Sequence, residues 1–177
     1  MTQPSIFQKQ SIFKTPWFEL IGKSVADSAA PHYSICAADY VAVLAVTRER
    51  TFPLVRQFRA AVEMLTLELP CGHVEENETP EQAARKELRE ETGFVAGEMI
   101  PLGVLSPDTG RLGNRMWCFF APDVERDVTR EFIPEPGVEP VVYSKPLREL
   151  VLAEPAFCSA LNRATILMAV AGGHVDL

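Results

Sequence analysis

The sequence predicts a mixed α/β domain, and three observations carry that prediction. Short runs rich in β-branched and aromatic residues recur from residue 17 onward. One well-bounded helical segment interrupts them at residues 79–93. Further strand-like runs then lead to a helical C-terminal segment. A length of 177 residues suits one domain with a sizeable core, so residues 1–177 are read as a single unit.

Residues 1–14, polar and mixed, read as a loose arm. "WFELIGKSV" (17–25) and "PHYSICA" (31–37) read as strands. "YVAVLAVT" (40–47) is an almost unbroken apolar run, the mark of a strand buried on both faces. "RER" makes a turn into its partner, "TFPLVRQFR" (51–59), and "LTLELP" (65–70) alternates until its proline. The period then changes. Thr79 fits an N-cap, Pro80 the first helical position and Gln82 the third place of a capping box, while Gly93 fits the C-terminal stop. Ala84 and Leu88, four apart, form a stripe able to face a sheet. "MIPLGVLS" (99–106) and "NRMWCFFAPDV" (114–124) read as strands around the turn-rich "PDTGRLG". "EFIPEPGVEP" (131–140) reads as a loop, and "VEPVVYS" holds a short strand. "LRELVL" and "FCSALNRATILMAVAG" read as helices, the last with Leu161, Ile166 and Ala169 inward and Asn162 and Arg163 outward.

Net charge is −7, which argues against nucleic acid or an anionic membrane as the main partner. An acidic protein that binds an anionic small molecule needs local cations, either metal ions or arginines. The N-terminus lacks the apolar core of a signal peptide, and the longest apolar segment is too short to span a bilayer. The expected compartment is the cytoplasm. Cys36, Cys71, Cys118 and Cys158 are scattered with no CxxC pair, so neither a zinc site nor disulfides are expected. At least three of them read as small buried hydrophobes.

Within that helix, Glu87 and Glu91 lie one turn apart on one face, with Glu90 beside them. Like charges at this spacing repel by a few tenths of a kcal/mol per pair, roughly. A solvated acidic face, with Lys86 and Arg89 compensating, is the plain explanation. An oxygen-loving divalent cation would make the crowding favourable, and Mg²⁺ prefers a few carboxylates, waters and substrate phosphate oxygens.

The neighbours decide between the two. "GHVEENETPEQAARKELREETGF" (72–94) resembles the Nudix box: Gly72, Glu78, Glu87, Leu88, Glu90, Glu91 and Gly93 stand at the family's spacing, and Phe94 takes the final apolar place. Lys86 departs from it, standing where the family has arginine. It keeps the charge and loses the planar fork. Arg85 is turned about 100° away and is no substitute. The resemblance implies the Nudix fold, with mixed β-sheets sandwiched between helices and an N-terminal β-extension over residues 1–38 that serves dimerisation. It implies Mg²⁺, or Mn²⁺, held by Glu87, Glu91 and Glu90, with the Cys71 carbonyl as a further ligand and Glu78 in support.

The flanks narrow the branch. "LVRQFR" followed by "LELPCG", and Pro107 thirteen residues past Phe94, resemble enzymes that hydrolyse ADP-ribose and related nucleoside diphosphate sugars. The implied reaction is metal-assisted hydrolysis of the diphosphate to a nucleoside monophosphate and a sugar phosphate, with GDP-mannose as an alternative substrate. Arg56 and Arg59 are either phosphate or ribose contacts or a solvated strand end. Arg111, with Arg115, flanks a loop that could reach the site. Trp17 is either a base-stacking aromatic, across a homodimer, or a core residue. Glu68 is either a supporting group or an outward strand residue. The resemblance puts the general base in the loop after the last strands, with Glu135 first and Glu131 and Glu139 behind it. His32, His73 and His174 carry no motif. Two rivals remain: an isomerase of isopentenyl diphosphate, disfavoured by three dispersed histidines, and a binding module that does not cut, supported by Lys86 alone.

Overall fold

The computed structural model describes residues 4–177. Three strands come first: β1 (Ile6–Lys14), β2 (Phe18–Val25) and β3 (His32–Ala37), antiparallel and in that order. Residues 6–14 are thus a strand and not a loose arm. Every residue of β1 is exposed, so no burial pattern announces it. It is held by backbone pairing to β2 and by a tight turn, in which Thr15 Oγ1 accepts from the amides of Trp17 and Phe18 at 3.1 and 3.0 Å.

β4 (Tyr40–Ala45) is followed by β5 (Phe52–Arg59), β6 (Met64–Glu68) and the short β7 (Cys71–His73). After the helix α1 (Pro80–Thr92) come β8 (Phe94–Val95), β9 (Ile100–Leu105), β10 (Met116–Ala121), β11 (Glu125–Arg126) and β12 (Val138–Tyr143). The helices α2 (Leu147–Ala153) and α3 (Ala160–Ala171) follow. One sheet has the order β7-β4-β10-β9, with β4 and β10 parallel. A second has the order β12-β5-β6 and is antiparallel, and β8 and β11 form a small ribbon. Pro140 stands in β12, an edge strand, where its missing N–H costs no ladder bond on the open side.

The apolar run of β4 serves two cores. Val41, Val43 and Ala45 pack with Ala84 and Leu88 of α1, while Leu44 faces Leu54, Leu67, Leu150 and Ile166 on the other side. Both faces are covered, which is why the sequence there does not alternate. Helix α1 starts and stops as its residues predict. The Thr79 hydroxyl accepts from the Gln82 amide, the Gln82 side chain accepts from the Thr79 amide, and Gly93 closes the helix at φ 73°.

The phase of α3 differs from the sequence reading. Asn162 is not outward: it is 3% exposed, and its side-chain oxygen accepts from the Leu69 amide at 2.9 Å. Leu161 is only half-buried. Asn162, Ile166 and Ala169 are the true inward stripe, at i, i+4 and i+7. The cysteines also differ: Cys118 is buried and Cys71 partly so, but Cys36 and Cys158 are exposed. Cys36 lies on β3 of the N-terminal sheet and Cys158 in the connection before α3.

Candidate active site

Strand β7 runs antiparallel to β4, with Cys71 opposite Ala42 and Gly72 opposite Val41. This sets the chain against the C-terminal half of α1. The Cys71 amide donates to Glu91 Oε2 at 2.8 Å. Gly72 lies so close to the helix that a Cβ built on it would fall inside the Glu87 carboxylate. Only glycine permits that approach. Glu91 is 5% exposed and Glu87 about half-buried. Burial pushes the Glu87 carboxyl up to about 7, with Glu90, Glu135 and Glu78 adding to the rise against the counteracting charge of Lys86. Burial likewise lifts Glu91 to about 8, although the Cys71 amide and the charge of Arg59 oppose it. The Cys71 thiol is pushed up to about 12, chiefly by burial, which makes it a poor nucleophile at neutral pH and weakens the isomerase alternative.

Lys86 does not orient these carboxylates. Its ammonium donates to Glu75 Oε1 at 2.8 Å and sits 3.6 Å from Glu78 Oε2. It thereby ties the 75–78 turn, where Asn77 has φ 67°, to the helix. Arg85 points elsewhere, bonding Glu81 and the Ala96 carbonyl.

The 127–137 segment crosses the C-terminal end of α1. Its root is fixed twice: the Asp127 amide donates to the Gly93 carbonyl at 2.9 Å, and Arg89 pairs with Asp127 at 2.8 Å. Phe132 is half-buried in a run of exposed neighbours, and its ring lies flat on Gly93. A cavity of about 340 Å³ opens between this segment and the helix, lined by Glu90, Arg130, Glu131, Phe132 and Glu135 among others. Glu135 thus shares one cavity with Glu90, and its charge acts on both Glu87 and Glu91. Glu139 stands apart, held by Arg56 Nη1 at 3.1 Å.

Arg59 grips Glu68 with two parallel bonds, 2.8 and 2.6 Å long, and Thr66 donates to the same carboxylate at 2.6 Å. Glu68 is therefore a buried partner and not an outward residue. Arg59 also acts electrostatically on Glu91, whereas Arg56 is tied to the neighbouring strand β12. Trp17 is 78% exposed in the β1–β2 turn and belongs to no core. Arg111 lies against the N-terminal sheet, its backbone carbonyl accepting from the Ile35 amide at 2.7 Å. The structure therefore gathers Glu87, Glu90, Glu91, Cys71, Glu135 and Arg59, and leaves Trp17 and Arg111 at the N-terminal sheet.

A family model described as the NUDIX domain matches residues 38–154. This chain belongs to the Nudix family. Among curated relatives, an ADP-ribose pyrophosphatase of Bacillus subtilis is 37% identical over 84 residues, covering 48% of this chain and 45% of the relative. An ADP-sugar pyrophosphatase of Mus musculus is 44% identical over 63 residues, covering 33% and 28% respectively. The matches thus span about half or less of these relatives' length. A crystal structure of an ADP compounds hydrolase superposes over 99% of this chain and 98% of its own, with a TM-score of 0.79 at 20% identity, which shows a shared fold.

The Nudix family uses a divalent metal ion, and the residues present fit one. Two carboxylates, one buried and one half-buried, face each other's charge with no ion pair to either among the described residues. That arrangement costs free energy unless a cation joins it. Among the described residues no three His, Cys, Asp or Glu side chains already converge on a point. Waters and phosphate oxygens would complete the coordination, as Mg²⁺ prefers. In this Nudix domain the sequence reading missed Asn162 and Phe132. Asn162 shares the apolar stripe of α3, which was the available signal. Phe132 had none, because its docking on Gly93 depends on how two distant segments meet.

Proposed function

We propose that this Nudix domain hydrolyses the diphosphate linkage of ADP-ribose or a related nucleoside diphosphate sugar, with Mg²⁺ or Mn²⁺, in the cytoplasm. The observation that carries the reading is the carboxylate pair of half-buried Glu87 and buried Glu91, held on Gly72 and the Cys71 amide beside the cavity that holds Glu135. The names of the ADP-ribose and ADP-sugar pyrophosphatase relatives support the substrate class. Glu87, Glu91 and Glu90, with the Cys71 carbonyl, would hold the ion, which would supply neutralisation of the diphosphate charge and acidification of the attacking water. Glu135 takes the proton of that water. The water oxygen bonds to one phosphorus as the bridging P–O bond breaks, giving a nucleoside monophosphate and a sugar phosphate. Arg59 keeps one guanidinium nitrogen free of Glu68, and Arg56 keeps two free of Glu139, for phosphate or ribose. The exposed apolar side chains of the N-terminal sheet, Trp17 among them, support a homodimer built through residues 1–38.

One observation favours a second reading, a binding module: Lys86 leaves the metal carboxylates without the family's arginine. A panel of nucleotide sugars, assayed with and without Mg²⁺ by phosphatase-coupled phosphate release, separates the two. Magnesium-dependent turnover that falls by about a hundredfold or more in folded Glu91→Gln supports hydrolysis. Binding without turnover of any diphosphate sugar supports the module, and an undiminished rate in Glu91→Gln removes the metal assignment.

A further inference from the structure

Outside the acidic site, one part of this acidic chain concentrates positive charge. In the N-terminal sheet Lys9 stands directly opposite Lys23, and Lys23 directly opposite His32. Residues directly opposite one another in antiparallel strands project from the same face, where like charges are destabilising. Among the described residues none of the three has an acidic ion-pair partner. The 108–113 loop is attached at the free edge of β3, the Ile35 amide donating to the Arg111 carbonyl at 2.7 Å and the Gly113 amide to the Ile35 carbonyl at 2.9 Å, and from there it borders this face. A cavity of about 250 Å³ remains between loop and sheet. Lys23, His32, Ser34, Gly110 and Arg111 line it, and no acid is among its lining residues.

Three details make this more than a basic surface. His32 Nε2 donates to the Gly110 carbonyl at 2.7 Å, which fixes the ring and leaves Nδ1 unspent. Ser34 stands two residues on along β3, on the same face. It is 6% exposed, and its hydroxyl has no hydrogen-bond partner among the described residues. Asp108, within the loop, accepts from the Gly110 amide at 2.7 Å and lies 3.6 Å from Arg111, so it shapes the loop.

We propose that this cavity binds a phosphate group, with Lys23 and Arg111 supplying charge and Ser34 a directed hydrogen bond, beside the His32 ring that the Gly110 carbonyl holds in place. A tetrahedral dianion would turn the repulsion within the row into attraction and give the Ser34 hydroxyl a partner. The site is distinct from the Glu87–Glu91 pair and does not depend on the hydrolase reading. Free inorganic phosphate and the phosphate of a sugar phosphate or nucleotide offer the same chemistry.

The test is an amide-resolved NMR titration of the full chain with inorganic phosphate. Ribose 5-phosphate and AMP form parallel arms, with sodium chloride at matched ionic strength as reference. Chelator keeps divalent ions out, so the acidic site repels phosphate. Saturable shifts centred on Lys23, His32, Ser34 and Gly110 are expected. Lys23→Gln weakens binding by about tenfold, whereas Lys9→Gln, in the same row but outside the cavity, changes it by about twofold or less. Tighter binding of ribose 5-phosphate or AMP identifies an organic phosphate as the ligand, and equal binding identifies free phosphate. Shifts no larger than those with chloride, or equal losses in folded Lys9→Gln and Lys23→Gln, overturn the proposal.

Discussion

Glu68 shows how much a single residue's role depends on its partners. Burial alone would raise its carboxyl, but the hydrogen bonds from Arg59 and Thr66 and the charge of Arg59 outweigh that and hold it below the usual carboxylate range. The folded carboxylate therefore releases its proton more readily than the unfolded one. Its contribution to stability is complete at neutral pH and is lost as the pH falls below the ordinary carboxylate range through the lowered value. Glu68→Gln should lower stability at pH 7 by about 1–2 kcal/mol, a figure reduced because Arg59 is half-exposed, and should remove part of the acid-side decline. Urea unfolding at several pH values measures both. The residue types of the site were readable in the chain. Their pairing was not: nothing in "LTLELP" says that Glu68 turns inward to meet an arginine nine residues earlier.

The elements position those residues through a few contacts. Asn162 of α3 satisfies the Leu69 amide, two residues before Cys71, and so ties the terminal helix to the segment that leads into β7 and Gly72. Asn162→Ala leaves that buried amide without its partner and should cost about 1–3 kcal/mol by denaturant titration. On the other side, Phe132 holds the Glu135 segment onto Gly93. Phe132→Ala should reduce kcat by about tenfold or more, since small misplacements of reacting groups are costly. Mg²⁺ affinity, measured calorimetrically without substrate, should change by about twofold or less, because Glu87 is set against Gly72 and Glu91 is held by the Cys71 amide. The capped helix α1 was legible end to end, because its start and stop signals are local. β1 was not, because its stability comes from pairing with β2 and its side chains lie open.

At the scale of the molecule, the N-terminal sheet gathers Phe7, Phe13, Trp17 and Tyr33, each more than half exposed, on three strands that supply no residue to the buried cores. A homodimer covering this sheet should sediment at about twice the 19.6 kDa chain mass. Trp17→Ala and Phe13→Ser together should shift it toward the monomer. Analytical ultracentrifugation reads the outcome, and a monomer at all concentrations would remove the dimer.

The sequence by itself determined the mixed α/β class, the boundaries of α1, the doubly buried β4 and the clustering of Glu87, Glu90 and Glu91. Each of these rests on residues close in the chain, through caps, periodicity or fixed spacing. The tertiary structure alone decided that Gly72 carries the Glu87 carboxylate and that Lys86 serves the 75–78 turn. It also decided that Phe132 sits on Gly93 and that Lys23 and His32 share a cavity with Arg111. Those outcomes depend on how close segments distant in sequence come, and local patterns carry no record of such distances.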